Sequence, residues 1–375
     1  MVTQLDEIAR GDHGGWRESV GRSNVSFEQG KRQTPGLGQI RRKAVDATRL
    51  VDTATVEGNP MPLVVTPAVD GVDLADWVST NRDELNAYFD RHGAILFRGF
   101  GLNDASAFER VASSIVPDLF AEYGDLPPEG TSERIYHSTP YPADKTILFH
   151  SESSHLPKWP LRQFFFCIQP AQEQGETPLL DNRRVAAELD AEIVGEFEER
   201  GLLYVRNFSP GIDVSWQDFF KTDDRGEVER TCAEEGIECE WKDGDSLRIS
   251  QRGPGVTRHP HTGEKIWFNQ VQLHHVSSLD PETRDSLRQL FSEQDMPRNV
   301  YFGDGRVIPD ETMDRISEVF EELCVELPWH KGDLIALDNM LVQHARRPFV
   351  GERKILVAMG EMVRATDLEE AGVRV

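Results

Sequence analysis

Cysteine is scarce in this 375-residue chain: Cys167, Cys232, Cys239 and Cys324 are the whole complement, and no two form a CxxC pair. So few thiols cannot make the disulfide framework of a secreted scaffold, and a reducing cytoplasm is the expected setting. Long apolar runs are missing as well. Nothing approaches the roughly 18 consecutive apolar residues of a membrane span, and the first ten residues carry Asp6 and Glu7 but no apolar stretch, which argues against a secretory signal. Cations are in deficit: 41 Lys and Arg face 65 Asp and Glu, a net charge of −24. A surface that grips nucleic acid must cluster cations against phosphates, so that partner is not expected. Residues 1–43 alone are basic, with eight Lys or Arg against five Asp or Glu. No repeat of 20–50 residues is visible, and no strand runs into a glycine-rich phosphate turn, which excludes a doubly wound dinucleotide-binding fold.

A hydrophobic fraction of 38% in a chain of this length supports a large core, either one domain with insertions or two closely joined ones. Residues 10–43, rich in Gly, Arg, Ser and Gln, show neither helical nor strand periodicity. Residues 1–45 therefore read as an extended or mobile arm, and 46–375 as a single domain. Short strands are expected at 63–65, 94–97, 146–149, 163–168, 202–205, 334–337 and 355–359, separated by Gly, Pro, Asp or Asn. Helices are expected after the N-cap Asp104, where Phe108, Val111, Ala112 and Ile115 share a face, at 185–197, at 281–291 behind Asp280, and at 313–324. Many short strands with a few inserted helices suit an all-β core, a sandwich or jelly roll, decorated by helices.

The chemistry-bearing pattern is Phe149-His150-Ser151-Glu152. In a strand, residues i and i+2 point to one face, so an imidazole and a carboxylate would project together. Two donors do not close a metal site, and His344, just past the strand at 334–337 and the turn Asp338-Asn339, is the best third. Two histidines and one carboxylate make a facial triad that holds Fe(II) on one side and leaves positions open on the other.

The surrounding blocks carry a resemblance. Gln163-Phe164-Phe165-Phe166-Cys167 and Gly175-Glu176-Thr177-Pro178 follow the first motif; Gly332-Asp333-Leu334 through Asp338-Asn339 precedes His344; and Arg346-Arg347-Pro348-Phe349 through Arg353-Lys354-Ile355 follows it. With Ser138-Thr139-Pro140-Tyr141-Pro142, Trp159-Pro160, His259-Pro260, Trp267-Phe268-Asn269 and Tyr301-Phe302-Gly303-Asp304-Gly305, these resemble the taurine dioxygenase family of Fe(II)/2-oxoglutarate-dependent oxygenases, over about 63–362. Within that family the chain looks most like the syringomycin-pathway type of aspartyl hydroxylase. The resemblance implies a double-stranded β-helix (jelly roll), metal ligation by His150, Glu152 and His344, and cosubstrate binding at Thr177 and Arg353. Physical chemistry agrees: the far carboxylate of 2-oxoglutarate needs a fixed cation, and Arg353 offers a planar fork, Thr177 a hydroxyl. Lys354 is a rival cation that alternation sends to the other face.

Two positions depart from the family pattern: Ser151 fills the middle of the first motif, and Ala345 stands where Gly is usual after the last ligand. Glu152 is retained, whereas halogenating relatives replace this carboxylate with a small residue, so hydroxylation of an unactivated C–H bond with O2 as oxidant is the expected outcome. The substrate implied is an amino acid or small amino-acid derivative, free or tethered to a carrier protein, in a specialised-metabolite pathway. Tyr141, His155, Arg248 and Asn269 are candidate substrate contacts. Desaturation or ring formation would use the same cofactors. A zinc hydrolase could also be built from two histidines and a glutamate, but it has no use for Thr177 and Arg353; a non-catalytic binding module has no use for the triad.

Overall fold

The computed structural model describes residues 49–56, 58–121, 129, 134–138, 141–212 and 214–370. The expected arm at 1–45, and Thr139 and Pro140 of the block quoted above, lie outside them. The centre is a seven-stranded sheet in the order Val51–Val56, Asn59–Pro67, Ala94–Phe97, Leu334–Asp338, Lys158–Gln169, Lys354–Arg364, Tyr136–His137. Neighbours are antiparallel except Asn59–Pro67 and Ala94–Phe97, which run parallel.

The long strand Lys158–Gln169 shows why the sheet is a layer rather than a surface. Phe164 and Phe166 point to one side and Phe165 and Cys167 to the other, all buried, because both faces are covered. On the first side Phe164, Phe166, Ala336 and Leu356 pack against the helices Leu74–Thr80, Arg82–His92 and Ala105–Ile115. Phe108 from the last of these stacks on Phe166 with centroids 5.1 Å apart. Asp104 caps that helix as expected, accepting the Ala107 N–H at 2.8 Å.

On the second side Phe165, Ile335, Leu337, Val357 and Met359 form a core with Leu179, Leu341 and Val342. Here lies a three-stranded antiparallel sheet in the order Ile147–His150, Val342–Arg346, Leu179–Asp181. Behind it, a third core joins Phe149, Leu180 and Ala345 to the helices Asn182–Glu188, Ala191–Arg200 and Asp310–Leu323 and to a four-stranded sheet, Glu238–Lys242, Ser246–Gly253, Leu202–Phe208, Arg298–Phe302.

The expected helix at 185–197 is two helices, broken at Leu189-Asp190. Residues 208–256 contain the helices Trp216–Phe220 and Arg225–Glu234 and a strand pair with its own small core of Phe208, Trp216, Val228, Cys232 and Leu247. The sequence signal there was hidden because charged residues alternate with few apolar ones in an edge pair. Trp159, Trp267 and Phe268 are fully buried.

Candidate metal centre

His150 is the last residue of Ile147–His150, and the antiparallel register sets it directly across from His344 in Val342–Arg346. Opposed Cβ atoms in such a pair are roughly 5 Å apart, and the two imidazole centroids are 4.3 Å apart. Strand pairing therefore unites residues distant in sequence.

Glu152 arrives differently from the expectation. The strand ends at His150, so Glu152 stands in the following turn, and alternation along a strand does not place it. Asn339 does. Its Oδ1 accepts the Glu152 N–H at 2.6 Å, and its Nδ2 donates to the carbonyls of Glu152 and Pro160, each at 2.9 Å. Asp338 builds the turn that presents Asn339: one carboxylate oxygen accepts the N–H groups of Met340 and Leu341, and the other meets Arg162 and His259. Gln163 reaches the Glu152 carboxylate at 3.4 Å.

The resulting donors, one from each of His150, Glu152 and His344, lie within 4.8 Å of one another. His150 Nδ1 is 2.8 Å from the Leu148 carbonyl, which accepts only if Nδ1 carries the proton. Its Nε2 is then a lone-pair donor, 3.9 Å from a Glu152 carboxylate oxygen. Backbone-anchored imidazole of this kind is the usual support of a metal ligand. His344 is fully enclosed; burial, and then His150, push its pKa well below the ordinary histidine value, so the ring is neutral. Its Nδ1 is buried with no hydrogen-bond partner among the described residues. Two imidazoles and a carboxylate converging on one point fit a divalent first-row cation. A second group, Glu321, Cys324 and Glu326, also has the spacing but is already bridged by Arg347.

Leu179 pairs with His344, and two residues earlier Thr177 meets a half-buried cation. Arg353 donates through Nε to the Gly175 carbonyl at 2.9 Å and through Nη2 to Thr177 Oγ1 at 3.3 Å, while Trp329 Nε1 reaches the same hydroxyl at 3.2 Å. Burial, and then the neighbouring Arg346, bring Arg353 down to about 10, still a cation at neutral pH. Gly175 has φ +78°, and a Cβ there would come within 2.9 Å of Phe349 Cβ and 3.2 Å of Arg353 Cδ, so glycine makes room for the guanidinium. Lys354 turns away to Glu129, 2.7 Å from its Nζ.

The four candidate substrate contacts fall in different surroundings. Tyr141 belongs to a segment tied down by Arg346, whose guanidinium donates to the carbonyls of Tyr141, Pro142 and Lys145 at 3.0, 2.5 and 2.6 Å and lies over the Tyr141 ring. His155 packs against His274 and Tyr204, with centroids at 4.7 and 5.7 Å. Burial, then Arg298, depress His155 to about 3. Asn269 is buried and engaged in the backbone, donating to the Gly255 carbonyl and accepting the Val271 N–H. Arg248 stands across from Asn207, on the face opposite to Tyr204 and Arg206. Sequence reasoning did not single out Asn339, Trp329, Gln270 or Arg206. An Asp-Asn turn ahead of a ligand strand is a signal for the first; the others carry none, because only packing brings them in.

Comparison with known proteins points one way. The family model described as taurine catabolism dioxygenase TauD, TfdA family matches residues 57–359. Among curated proteins, the dapdiamide synthesis protein DdaC of Enterobacter agglomerans is 37% identical over 307 residues, 79% of this chain and 93% of that protein. A clavaminate synthase-like protein of Arabidopsis thaliana is 28% identical, covering 81% and 94%. Among solved structures, PvcB of Pseudomonas aeruginosa covers 86% of this chain and 94% of its own at 14% identity and a TM-score of 0.50, a likeness of fold. A second structure, of a PvcB titled an Fe, α-ketoglutarate dependent oxygenase from an isonitrile synthetic pathway, shares the fold at 13% identity and a TM-score of 0.51, covering 87% and 98%.

Proposed function

Since the chain belongs to the TauD, TfdA dioxygenase family, we propose that it is an Fe(II)- and 2-oxoglutarate-dependent oxygenase that hydroxylates an unactivated C–H bond of an amino acid or small amino-acid derivative. The observation that carries this reading is the pairing of two sites: three convergent donors at His150, Glu152 and His344, and the Arg353–Thr177 pair next to the strand that pairs with His344. In this reading the small sheet and the central sheet form a double-stranded β-helix within one domain spanning 46–375. Bound there, Fe(II) and 2-oxoglutarate supply O2 activation coupled to oxidative decarboxylation of the cosubstrate.

The protein's own part is placement. His150 and His344 offer nitrogen lone pairs from paired strands, and Glu152 closes the set from a turn held by Asn339. Arg353 neutralises the distal carboxylate of the cosubstrate from a half-buried position, and the buried Thr177 adds a hydroxyl, itself oriented by Trp329. The retained Glu152 favours hydroxylation over halogenation. DdaC, a dapdiamide synthesis protein, supports a place in specialised metabolism; the substrate in this reading is free or carrier-bound.

An anaerobic titration of metal-free protein with Fe(II) and 2-oxoglutarate tests the reading. A weak visible charge-transfer band is expected in the native protein and is lost in His344→Ala and Arg353→Ala. No band, together with tight zinc uptake, overturns it.

A further inference from the structure

The four-stranded sheet turns a charged face toward the candidate metal centre. Arg206 and Arg298 stand directly opposite one another across the pair Leu202–Phe208 and Arg298–Phe302, and Val300 stands opposite Tyr204. Alternation puts Tyr204, Arg206 and Arg298 on one face. Tyr204 shows where that face looks: its ring is 5.7 Å from His155 and 5.1 Å from His274, and its hydroxyl accepts the Gln270 N–H at 3.0 Å. Both histidines feel Arg298 and His150 electrostatically, and His274 also feels Arg206. The Arg298 guanidinium and the two imidazoles thus share one region near His150, and Arg206, whose guanidinium lies 4.8 Å from the Phe208 and Phe219 rings, borders that region on the His274 side.

Hydrogen-bond direction sharpens the picture. Gln270 Nε2 donates to the Ser151 carbonyl at 2.8 Å, which leaves its Oε1 as acceptor. His274 Nε2 lies 3.2 Å from that oxygen, and His155 also bonds the Gln270 side chain. The neutral His274 ring then carries its proton on Nε2, facing Gln270. His155 Nδ1 is buried with no hydrogen-bond partner among the described residues. Like charges directly opposed on neighbouring strands repel, and an anion lying between them offsets that. Both histidines stay neutral here, so neither competes for the anion. Both arginines also hold interactions within the chain, so a ligand joins an organised cluster.

We propose that Arg206 and Arg298 recognise a carboxylate of the amino-acid substrate and that His155 Nδ1 accepts an N–H from its amino group. This rests on the oxygenase reading and adds to it the polar end of the substrate, at Arg206 and Arg298, to which no role has been given, and gives the candidate contact His155 a stated one. The carboxylate could be the α-carboxylate of a free amino acid or a side-chain carboxylate of a carrier-bound one; the same pair would bind either.

The test is calorimetry on the full chain, anaerobic with Fe(II) and saturating 2-oxoglutarate. The probes are L-aspartate, its two monoamides L-asparagine and L-isoasparagine, and L-leucine with L-leucinamide. At least one carboxylate probe is expected to bind, with the amide that removes the recognised carboxylate bound at least about tenfold more weakly, because a site built for a hydrogen-bonding group rejects the analogue lacking it. The two monoamides tell which carboxylate is read. Arg206→Gln and Arg298→Gln should lose the same factor for the acid but not for the amide, Arg206→Lys should retain part of the affinity, and 2-oxoglutarate affinity should be unchanged in all three. Acid and amide binding alike, no probe binding, or folded variants that bind as the native protein does would each overturn the proposal. If the glutamine variants do not fold, the acid–amide comparison on the native chain decides. Failure of 2-oxoglutarate itself to bind the native chain, or binding that Arg353→Ala leaves unchanged, would instead sink the oxygenase reading, so the two failures are separate.

Discussion

A carboxylate placed by a turn is only as steady as the groups that hold the turn, and Glu152 depends on Asn339 for both its N–H and its carbonyl. Asn339→Ala should leave the three donors in the chain yet lower Fe(II) affinity by about 10–100-fold, the usual cost of removing a group that orients a ligand; anaerobic Fe(II) titration measures it, and unchanged affinity would show that Glu152 holds its place unaided. The cosubstrate pair behaves as a buried charge with one designated partner. Arg353→Ala should weaken 2-oxoglutarate binding by at least about 30-fold, equivalent to the 2–5 kcal/mol typical of truncating one partner of a buried charge pair. Calorimetry with 2-oxoglutarate reads that loss directly. Lys354, adjacent in sequence, should give no such effect when changed to Ala, since its ammonium serves Glu129. The adjacent Arg353 and Lys354 were legible as rivals but not as winner and loser: the strand Lys354–Arg364 has a register irregularity at its very start, where simple alternation gives no safe phase.

At the scale of elements, the turn between Leu334–Asp338 and Val342–Arg346 carries the most weight. Asp338 is fully buried; burial pushes its carboxyl upward, but Arg162 and then His259 outweigh it and hold the group down to about 2. A carboxyl depressed in the folded state stabilises above its ordinary value of 3.8 and loses that contribution as pH falls toward the folded value. The window is therefore about pH 4 to 2, worth about 2 kcal/mol at 1.36 kcal/mol per unit. Asp338→Asn should flatten acid unfolding in that window and lower stability near neutrality by about 3–5 kcal/mol, because Arg162 is left as a buried charge without its carboxylate. Denaturant melts at pH 7 and pH 3 separate the two effects. One glycine belongs to the same strand's entry: Gly332 has φ +86°, and a Cβ there would come within 2.7 Å of the Leu102 carbonyl oxygen. These elements were readable to different degrees. Asp104 and Asp280 announced their helices because an N-cap acts through its own neighbours, and both cap as expected. The 185–197 segment ran together in the sequence because Leu189 and Asp190 are tolerable inside a helix; the break is set by packing of the second helix against Trp267 and Phe302, through Phe197.

Across the whole molecule, His150 and Glu152 come from one end of a turn and His344 from a strand far along the chain, so a cation bound by all three ties distant segments together. Ligand that binds only the folded state stabilises it by mass action, about 2.7 kcal/mol at a hundredfold excess over Kd, or about 3 °C in a chain of this size. Thermal melts with Mn(II) as a redox-silent stand-in should show that rise against chelator-treated protein, and His344→Ala should abolish it. A stabilisation that survives the substitution would place the cation elsewhere.

The linear pattern determined the buried strands, the capped helices, the family, and the donor types at 150, 152, 344, 177 and 353. Residue type and spacing were enough for these because each expresses itself locally: burial on both sheet faces needs an unbroken apolar run such as 164–168, and a cap or a motif is read within a few positions. Only the tertiary structure decided that Glu152 hangs from a turn held by Asn339, that Arg353 rather than Lys354 faces Thr177, and that Arg248 looks away while Arg206 meets Arg298 beside His155 and His274. The reason is register. A shift of one residue between paired strands turns every side chain to the other face, and register is set by contacts between segments that the sequence lists far apart.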